Sequence, residues 1–383
     1  MTVSEYDSLR PPEAPRRRRR RAAEGTGAKL RRFASNVLRG PGDGSREMPM
    51  VDDPEFSSYY GRPIVKAPPW GHEIAGYLFL GGLAGGSALL SLGAELTGRT
   101  TLRRNTRLTA LGAVGLGTVA LIADLGRPER FLNMMRTVKV TSPMSLGTWI
   151  LTPFATATGV AATSEIDKMT GNKLPLGPLR KVLRAAETPS GLAAAVFAAP
   201  LASYTGVLLG NTANPVWNGG RNGLSFVFAS SATMAAGGAA MATTNVEEAG
   251  PARAMALMGV VGDLVAVRAM KAGMHPVEVE PLETGHAGKL LHWAEYLTIG
   301  GGIGALLGGK NRTIAALSGT ALAAASALTR FGVLDAGLES TKDPKYVIEP
   351  QKARLAARRA RGITHDSITT GPRRAAAPEQ AGN

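Results

Sequence analysis

The chain has 383 residues, including 48 glycines and no cysteine, and it carries a formal net charge of +15. The lack of cysteine excludes disulfide bonds, zinc–thiolate sites and any iron–sulfur cluster held by thiols of this chain. Nucleic-acid binding is not expected either, because the basic segments at both ends lack interleaved aromatic residues and a folded recognition motif.

Residues 1–69 are predicted to form a disordered N-terminal arm. The segment is rich in proline and arginine and poor in apolar residues, so it cannot bury enough surface to form a packed core. It includes six consecutive arginines, Arg16 to Arg21. Such a block is usually solvated, and its partner is expected to be anionic membrane lipid.

From residue 74 onward, apolar runs of about 20 residues alternate with short polar breaks, and a run of this length spans a bilayer core as a helix. The pattern of short alternating segments that is typical of a β-barrel is not found in the sequence. We therefore predict an all-α fold, a polytopic membrane bundle of about eight transmembrane helices over residues 70–333, followed by a basic C-terminal tail over 334–383. The predicted spans are 74–96, 108–124, 146–163, 190–210, 223–243, 254–271, 290–309 and 313–333.

An even number of spans places both tails on the same side of the membrane, which we call the terminal face. The lysines and arginines at the ends of the spans do not distinguish the two faces. We expect a bacterial plasma membrane with cytoplasmic tails, because moving six consecutive arginines across a membrane is unfavourable.

Polar residues near the terminal face are the first candidates for chemistry. Glu73 and Tyr77 are four residues apart at the start of the first span, so they share a helical face, and His72 lies beside them. Asp124 ends the second span, and Tyr204 lies within the fourth, so a bundle can bring these groups together near one edge.

Structural interpretations of these residues stay open. Asp124 can instead form an ion pair with Arg127 that fixes the end of its helix. A lone tyrosine in a span, such as Tyr204, is usually a packing residue or an interface anchor, and Trp217 is expected at the boundary with water.

Three more carboxylates are candidates for a proton path. Glu95 ends the first span, Asp263 lies near the middle of the sixth, and Glu295 lies at the mouth of the seventh. A carboxylate inside a membrane is costly and often functional, which suggests a path from the opposite face through Asp263. Alternatively, Asp263 pairs with Arg268 or with a polar group of another helix and only stabilises the bundle, and Glu295 is a solvated helix start.

Several motifs in chain order resemble the NrfD/PsrC family, the polysulfide-reductase type of integral membrane subunit. They cover roughly residues 70–220, whereas the later spans match in length and glycine content only. The motifs are Y-L-F-L-G-G-L-A-G-G-S-A-L-L, D-L-G-R-P-E-R-F with T-S-P-M-S, and S-Y-T-G-V-L-L with P-V-W-N.

The resemblance implies a membrane anchor that binds a quinone, menaquinone or ubiquinone, next to a ferredoxin-like iron–sulfur subunit of the four-cluster type and a molybdopterin catalytic subunit. It implies that Tyr204 contacts a quinone carbonyl and that the polar residue beside G-L-A-G-G lines the same pocket. The family has histidine at that position, and this chain has Tyr77, with His72 and Glu73 a turn or more away. The sequence leaves open which of these groups serves the quinone.

Quinone reduction needs two electrons and two protons. Tyrosine hydroxyls can donate hydrogen bonds to the carbonyls, and Glu73, His72 or Asp124 can pass protons from water. We expect no haem, iron–sulfur cluster or metal on this chain, because it lacks cysteine and its histidines are not paired across the membrane. The electrons must then come from the iron–sulfur partner.

Three classes of function are compatible with these features. The first is the quinone-reactive membrane subunit of a respiratory oxidoreductase complex, which is not catalytic on its own. The second is a purely structural anchor, and the third is a transporter that uses the charges inside the membrane. Discontinuous spans in matching halves, the usual mark of a transporter with inverted repeats, are not evident.

Overall fold

The computed structural model of the chain describes residues 63–125 and 129–363. Most of the predicted N-terminal arm, Arg127 with its predicted ion pair, and residues 364–383 lie outside the described residues. Within the two described stretches the regular secondary structure is helical, and no strand is found there. The all-α prediction is therefore confirmed for this part of the chain.

Eight helices of more than 20 residues form the body of the described structure, with four shorter helices between and after them. The long helices are α1 (His72–Leu96), α2 (Thr100–Asp124), α4 (Pro143–Met169), α5 (Leu179–Gly210), α7 (Arg221–Thr243), α8 (Gly250–Ala272), α10 (Gly285–Leu307) and α11 (Arg312–Ser340). The shorter helices are α3 (Arg130–Met134), α6 (Pro215–Gly219), α9 (Pro276–Glu283) and α12 (Lys345–Ala360).

The long helices pack as two four-helix bundles. The first bundle contains α1, α2, α4 and α5, and the second contains α7, α8, α10 and α11. They are joined where α1 and α5 pack against α7 and where α1 packs against α11. Glycine allows the closest approaches: a Cβ at Gly85 of α1 would lie 2.7 Å from the Ala198 carbonyl oxygen of α5. Such contacts bring helices together where lipid supplies no hydrophobic drive.

Six helices in the described part of the chain are long and apolar enough to cross a membrane: α1, α2, α5, α7, α8 and α11. The other two long helices, α4 and α10, also coincide with predicted spans. Threonine, glycine and proline lower the mean hydropathy of α4, and His292 and Glu295 lower that of α10. These six helices agree with a polytopic bundle.

Two helices begin eight or more residues before the predicted spans, because they include charged residues that the sequence pattern assigned to loops. Helix α2 begins at Thr100 and α5 at Leu179, whereas the predictions began at 108 and 190. The extra turns carry Arg107 and Glu187, which are buried and bonded to each other. Charges that are paired inside the bundle do not interrupt a helix.

The C-terminal end of the described chain is helical, whereas the sequence analysis assigned it to a basic tail. Helix α11 continues beyond the predicted limit at 333 to Ser340, and α12 follows it. Two ion pairs join α12 to α9, Lys345 to Glu280 at 2.9 Å and Arg354 to Glu278 at 3.5 Å. The hydrogen bonds to Glu280 raise the pKa of Lys345. The domain limits stay a prediction.

Candidate functional site

A cavity of about 210 Å³ lies within the first bundle, near the end at which α1 begins. Its walls come from α1, α2, α4 and α5, and residues of α3 lie beside it. We call it the tyrosine cavity, because Tyr77 and Tyr204 are its central polar residues. Its lining is mostly apolar and includes Trp70, Ile74, Leu78, Leu121, Phe131 and Leu151.

Tyr77 of α1 and Tyr204 of α5 are brought together at the wall of this cavity. Their hydroxyl groups are hydrogen-bonded to each other. Tyr77 is 4% exposed and Tyr204 is half-buried. Each phenol has one proton to donate, so the hydroxyl that accepts within the pair keeps its own proton available for another acceptor. The pair can therefore offer a hydrogen bond to a carbonyl oxygen inside the cavity.

The ring of Tyr204 fits only because residue 147 of α4 is a glycine. A Cβ at Gly147 would lie 2.9 Å from Cζ of Tyr204, closer than carbon atoms approach in folded proteins. Gly147 follows T-S-P-M-S in the sequence, where Ser142 caps α4 and Pro143 starts it. The motif thus sets the start of α4, and Gly147, two residues beyond it, gives the tyrosine ring its space, a function that sequence reasoning missed.

Asp124 connects this cavity to groups closer to solvent. It lines the cavity at the end of α2, and its carboxylate accepts a hydrogen bond from the Gly71 backbone N–H. Glu73 is exposed, and its carboxylate lies against Gly71 and interacts electrostatically with Asp124. The structure therefore brings together Tyr77, Tyr204 and Asp124 at the cavity, with Glu73 on its outer side.

His72 is placed differently from the other predicted site residues. It is exposed and stacks on Phe331 of α11, with ring centroids 5.9 Å apart, and it is not among the described residues that line the tyrosine cavity. The first two turns of α1 thus direct Tyr77 into the first bundle and His72 toward the second.

Trp217 is buried, and the expectation that it lies at the boundary with water was wrong. It is 1% exposed, stacks on Trp70 with centroids 5.6 Å apart, and donates from Nε1 to the Val333 carbonyl at 2.8 Å. Gly337 of α11 leaves room for its ring. Helix α6 therefore places Trp217 against α11. Trp70, which stacks on Trp217, also lines the tyrosine cavity.

Asp263 and Glu295 share a second cavity of about 280 Å³ in the other bundle, which we call the Asp263 cavity. The expected partner Arg268 pairs instead with Glu295, at 3.2 Å. Asp263 faces Arg330 of α11, a fully buried arginine that sequence reasoning missed. The available signal was a single arginine inside an otherwise apolar span, A-L-T-R-F-G.

Glu95 belongs to a third place, at the far end of the first bundle. Its carboxylate accepts from Arg107 at 2.6 Å and from the Thr188 hydroxyl at 2.8 Å. Arg107 also bonds Glu165 and Glu187, so Glu95 is part of an ion cluster rather than of the Asp263 cavity. Of the three carboxylates predicted for one proton path, Asp263 and Glu295 therefore share a cavity, and Glu95 lies elsewhere.

Comparison with known proteins supports the resemblance. A search of curated proteins gave no match. The profile of one family, polysulphide reductase NrfD, matches residues 64–337, which includes both bundles and most of the chain. Members of this family are multi-pass membrane subunits of polysulphide-reductase-like complexes and generally associate with catalytic and iron–sulfur subunits. From this match and its apolar helices, the chain is a membrane protein that belongs to the NrfD polysulphide reductase family.

Proposed function

We propose that this chain is the quinone-reactive membrane subunit of a respiratory oxidoreductase complex. Electrons would pass between an iron–sulfur subunit of the four-cluster ferredoxin type, itself next to a molybdopterin catalytic subunit, and a quinone of the membrane pool. The observation that carries the proposal is the hydrogen-bonded pair Tyr77 and Tyr204 at the wall of a largely apolar cavity in the first bundle.

The size and lining of the tyrosine cavity fit a quinone ring. Pockets for drug-sized ligands measure on the order of 300–1,000 Å³, so about 210 Å³ suits a single small ring. The apolar walls contact the faces of such a ring, and the tyrosine pair donates to a carbonyl at its edge. A bound quinone, menaquinone or ubiquinone, would supply the chemistry of accepting two electrons and two protons.

The proton supply would run through the carboxylates near Gly71. Asp124 faces the cavity and Glu73 faces solvent, and the two interact electrostatically. A carboxylate at each side allows Asp124 to give a proton to the tyrosine pair and to regain one from Glu73 and water. His72 is proposed only as an interfacial group outside this relay, because it stacks on Phe331.

The same proposal includes eight membrane crossings, with α4 and α10 added to the six apolar helices. Both are 23 residues or longer and complete the two bundles. Eight crossings place both tails on one side, and we propose the cytoplasmic side of a bacterial plasma membrane. The basic tails would then face the anionic inner leaflet.

Replacing Tyr204 with phenylalanine in the assembled complex tests the proposal. The variant keeps the ring and loses the hydroxyl, so quinone reduction should fall roughly tenfold to a hundredfold, the effect of about 1.5–3 kcal/mol. Tyr296→Phe is the matched control, because Tyr296 is 65% exposed on α10. Initial rates with a soluble quinone analogue measure both.

Each alternative function has its own outcome. If Tyr204→Phe and Tyr296→Phe both leave quinone reduction unchanged, the chain is a structural anchor and the proposal fails. If proteoliposomes containing this chain alone accumulate a solute, the transporter interpretation replaces it. The quinone-reactive subunit predicts no such accumulation.

A further inference from the structure

The Asp263 cavity contains more charged groups than the tyrosine cavity. It lies between α8, α10 and α11 of the second bundle, with α9 at its edge. Its charged or titratable lining residues are Asp263, Arg268, Lys271, Glu283, His292 and Glu295. A cavity lined in this way holds water rather than lipid, because charged side chains lose far more solvation in hydrocarbon.

Two opposite charges lie near each other at the inner part of this cavity without a direct ion pair. Asp263 lines the cavity, and Arg330 follows the lining residue Thr329 without lining the cavity itself. Asp263 of α8 is 5% exposed and Arg330 of α11 is 0% exposed. Each lies within the electrostatic influence of the other. Neither forms an ion pair within 4.0 Å with any residue that the structure describes.

Several polar atoms of this pair are left over. Arg330 donates one hydrogen bond, from Nη2 to the Phe228 carbonyl at 2.6 Å, and its guanidinium lies 3.7 Å from the centre of the Phe228 ring. Oδ1 of Asp263 and both Nε and Nη1 of Arg330 find no hydrogen-bond partner among the described residues. Buried polar atoms are almost always bonded to protein or to ordered water.

Water in the cavity can bond to Asp263. A water molecule needs a site with about 10–15 Å³ of accessible space and two to four polar partners, and the cavity offers about 280 Å³ beside Asp263. A short chain of waters would therefore connect the Asp263 carboxylate with the polar groups farther out.

The outer part of the cavity reaches the terminal face. Its rim carries two ion pairs, Arg268 with Glu295 and Lys271 with Glu283, each at 3.2 Å. Arg268 and Lys271 follow Asp263 by five and eight residues in α8, toward the end of that helix. The access to Asp263 thus begins at the terminal face, whereas the path predicted from the sequence began at the opposite face.

We propose that the Asp263 cavity is a water-filled inlet that delivers protons from the terminal face to Asp263, with the buried guanidinium of Arg330 as the fixed positive charge nearby. The groups that face Asp263 include Arg330 from α11, and His292 and Glu295 from α10. The inlet is separate from the tyrosine cavity, and its existence does not depend on a quinone.

Arg330 also packs against α1, the helix that carries Tyr77. A Cβ at Gly82 of α1 would lie 3.3 Å from Nη2 of Arg330, so the lack of a side chain there gives the guanidinium its place. Gly82 follows Tyr77 by five residues, which is about 7.5 Å along a helix axis. A change in the charge of Asp263 would therefore change the electrostatic force on Arg330, whose guanidinium packs directly against α1.

Cysteine accessibility tests whether the inlet contains water. The chain has no cysteine of its own, so a single introduced thiol is the only reactive one. Leu264→Cys places it in the cavity lining, and Val261→Cys places it at a similar depth on the outer surface of α8, where Val261 is 63% exposed. The full chain in lipid nanodiscs is treated with a charged, membrane-impermeant methanethiosulfonate reagent.

Because thiols react as thiolates, which form in water and not in lipid, Leu264→Cys should react at least tenfold faster than Val261→Cys. Equal and slow reaction of both variants would overturn the inlet.

Carbodiimide labelling of the unmodified chain tests the proton-carrying carboxyl without any variant that could fail to fold. Dicyclohexylcarbodiimide partitions into apolar regions and reacts with protonated carboxyl groups. The tryptic peptide between Arg253 and Arg268 contains Asp263 as its sole carboxyl. We expect this peptide to be labelled, with less label as the buffer pH rises, and to be unlabelled in Asp263→Asn.

Absence of label on this peptide between pH 5 and 8, in protein that remains folded, would overturn the proposal. Neither measurement uses quinone, so failure of the inlet and failure of the quinone site are distinguishable.

Discussion

The two four-helix bundles bury their charged groups in different ways. The first bundle places them at one end, in a cluster where Arg107 bonds Glu95, Glu165 and Glu187 at 2.5–2.9 Å. The second bundle places Asp263 and Arg330 deep in its interior, where several of their polar atoms have no hydrogen-bond partner among the described residues. Charged groups in direct ion pairs hold helices together, whereas charged groups with unbonded polar atoms can bind water and take part in proton transfer.

The same contrast applies within the first bundle. Arg107 is 3% exposed, and the carboxylate of Glu187 additionally accepts from Lys168 and Ser164, so this end is fixed. At the other end, the hydroxyls of Tyr77 and Tyr204 bond only each other among the described residues. The ion cluster holds the helices together at one end of the bundle, and the tyrosine cavity leaves space for a ligand at the other end.

The largest expected loss of stability comes from disrupting the ion cluster around Arg107. Replacing Arg107 with methionine leaves three carboxylates close together in a buried place without their shared cation. The loss of stability should be about 3–5 kcal/mol, the usual cost of removing one partner from a buried ion network. Unfolding of the purified chain in nanodiscs, followed by heat or denaturant, measures it.

Arg330→Met sharpens this comparison, because it removes an equally buried arginine that forms a single hydrogen bond with the described residues. Its cost should be clearly smaller than that of Arg107→Met. Equal losses of stability in the two variants would contradict the distinction between charges in direct ion pairs and incompletely bonded charges.

A smaller effect is expected from filling the space beside Tyr204. In Gly147→Ala the new methyl group meets the tyrosine ring, which must move. Overpacking of this kind costs about 1–3 kcal/mol, and quinone reduction by the complex should fall as well. The matched control is Gly159→Ala in the same helix, where a Cβ has nothing within 4 Å among the described residues.

Gly159→Ala should keep full activity and gain slightly in stability, since alanine is the better helix former. Normal activity of Gly147→Ala would show that the position of the Tyr204 ring does not matter for the reaction.

The smallest effect concerns a contact between the bundles. The Leu102 N–H at the start of α2 donates to the Glu248 carboxylate at 3.0 Å, in the loop between α7 and α8. This hydrogen bond lowers the pKa of Glu248. A lowered pKa in the folded state adds stability above the unfolded value of about 4.3, and that stability is lost as the pH falls.

Glu248→Gln should therefore cost less than about 1 kcal/mol at neutral pH. The difference from the parent chain should disappear as the pH falls below 4. The neighbouring variant Glu247→Gln, at an exposed side chain, should show no change at either pH. Melting temperatures at several pH values provide the test, and a difference that grows in acid would contradict the sign.

The helices were predictable because lipid imposes a simple rule, an apolar run of about 20 residues. The meeting of Tyr77, Tyr204 and Asp124 was predictable from their equal depth near one face. The Arg107 cluster was not, because its partners Glu165 and Glu187 lie 58 and 80 residues away along the chain. Arginines near the ends of apolar runs look like loop residues until their carboxylates are known.

Burial of single residues was also beyond the sequence. Trp217 has the position of an interface anchor, yet Gly337, 120 residues later, provides the space that buries it. Arg330 stands in an apolar span, and only the packing of α1, α7 and α11 shows that it is fully buried and within electrostatic range of Asp263. Such outcomes depend on which helices meet, and helix periodicity carries no information about that.

Photoaffinity labelling of the assembled complex tests the quinone site most directly. An azidoquinone is bound in the dark, illuminated, and located by mass spectrometry, with excess unmodified quinone as competitor. A competitor-sensitive label on α4 or α5 residues that line the tyrosine cavity, such as Met144 or Leu208, is the predicted result. Competitor-sensitive label confined to the second bundle would contradict the account.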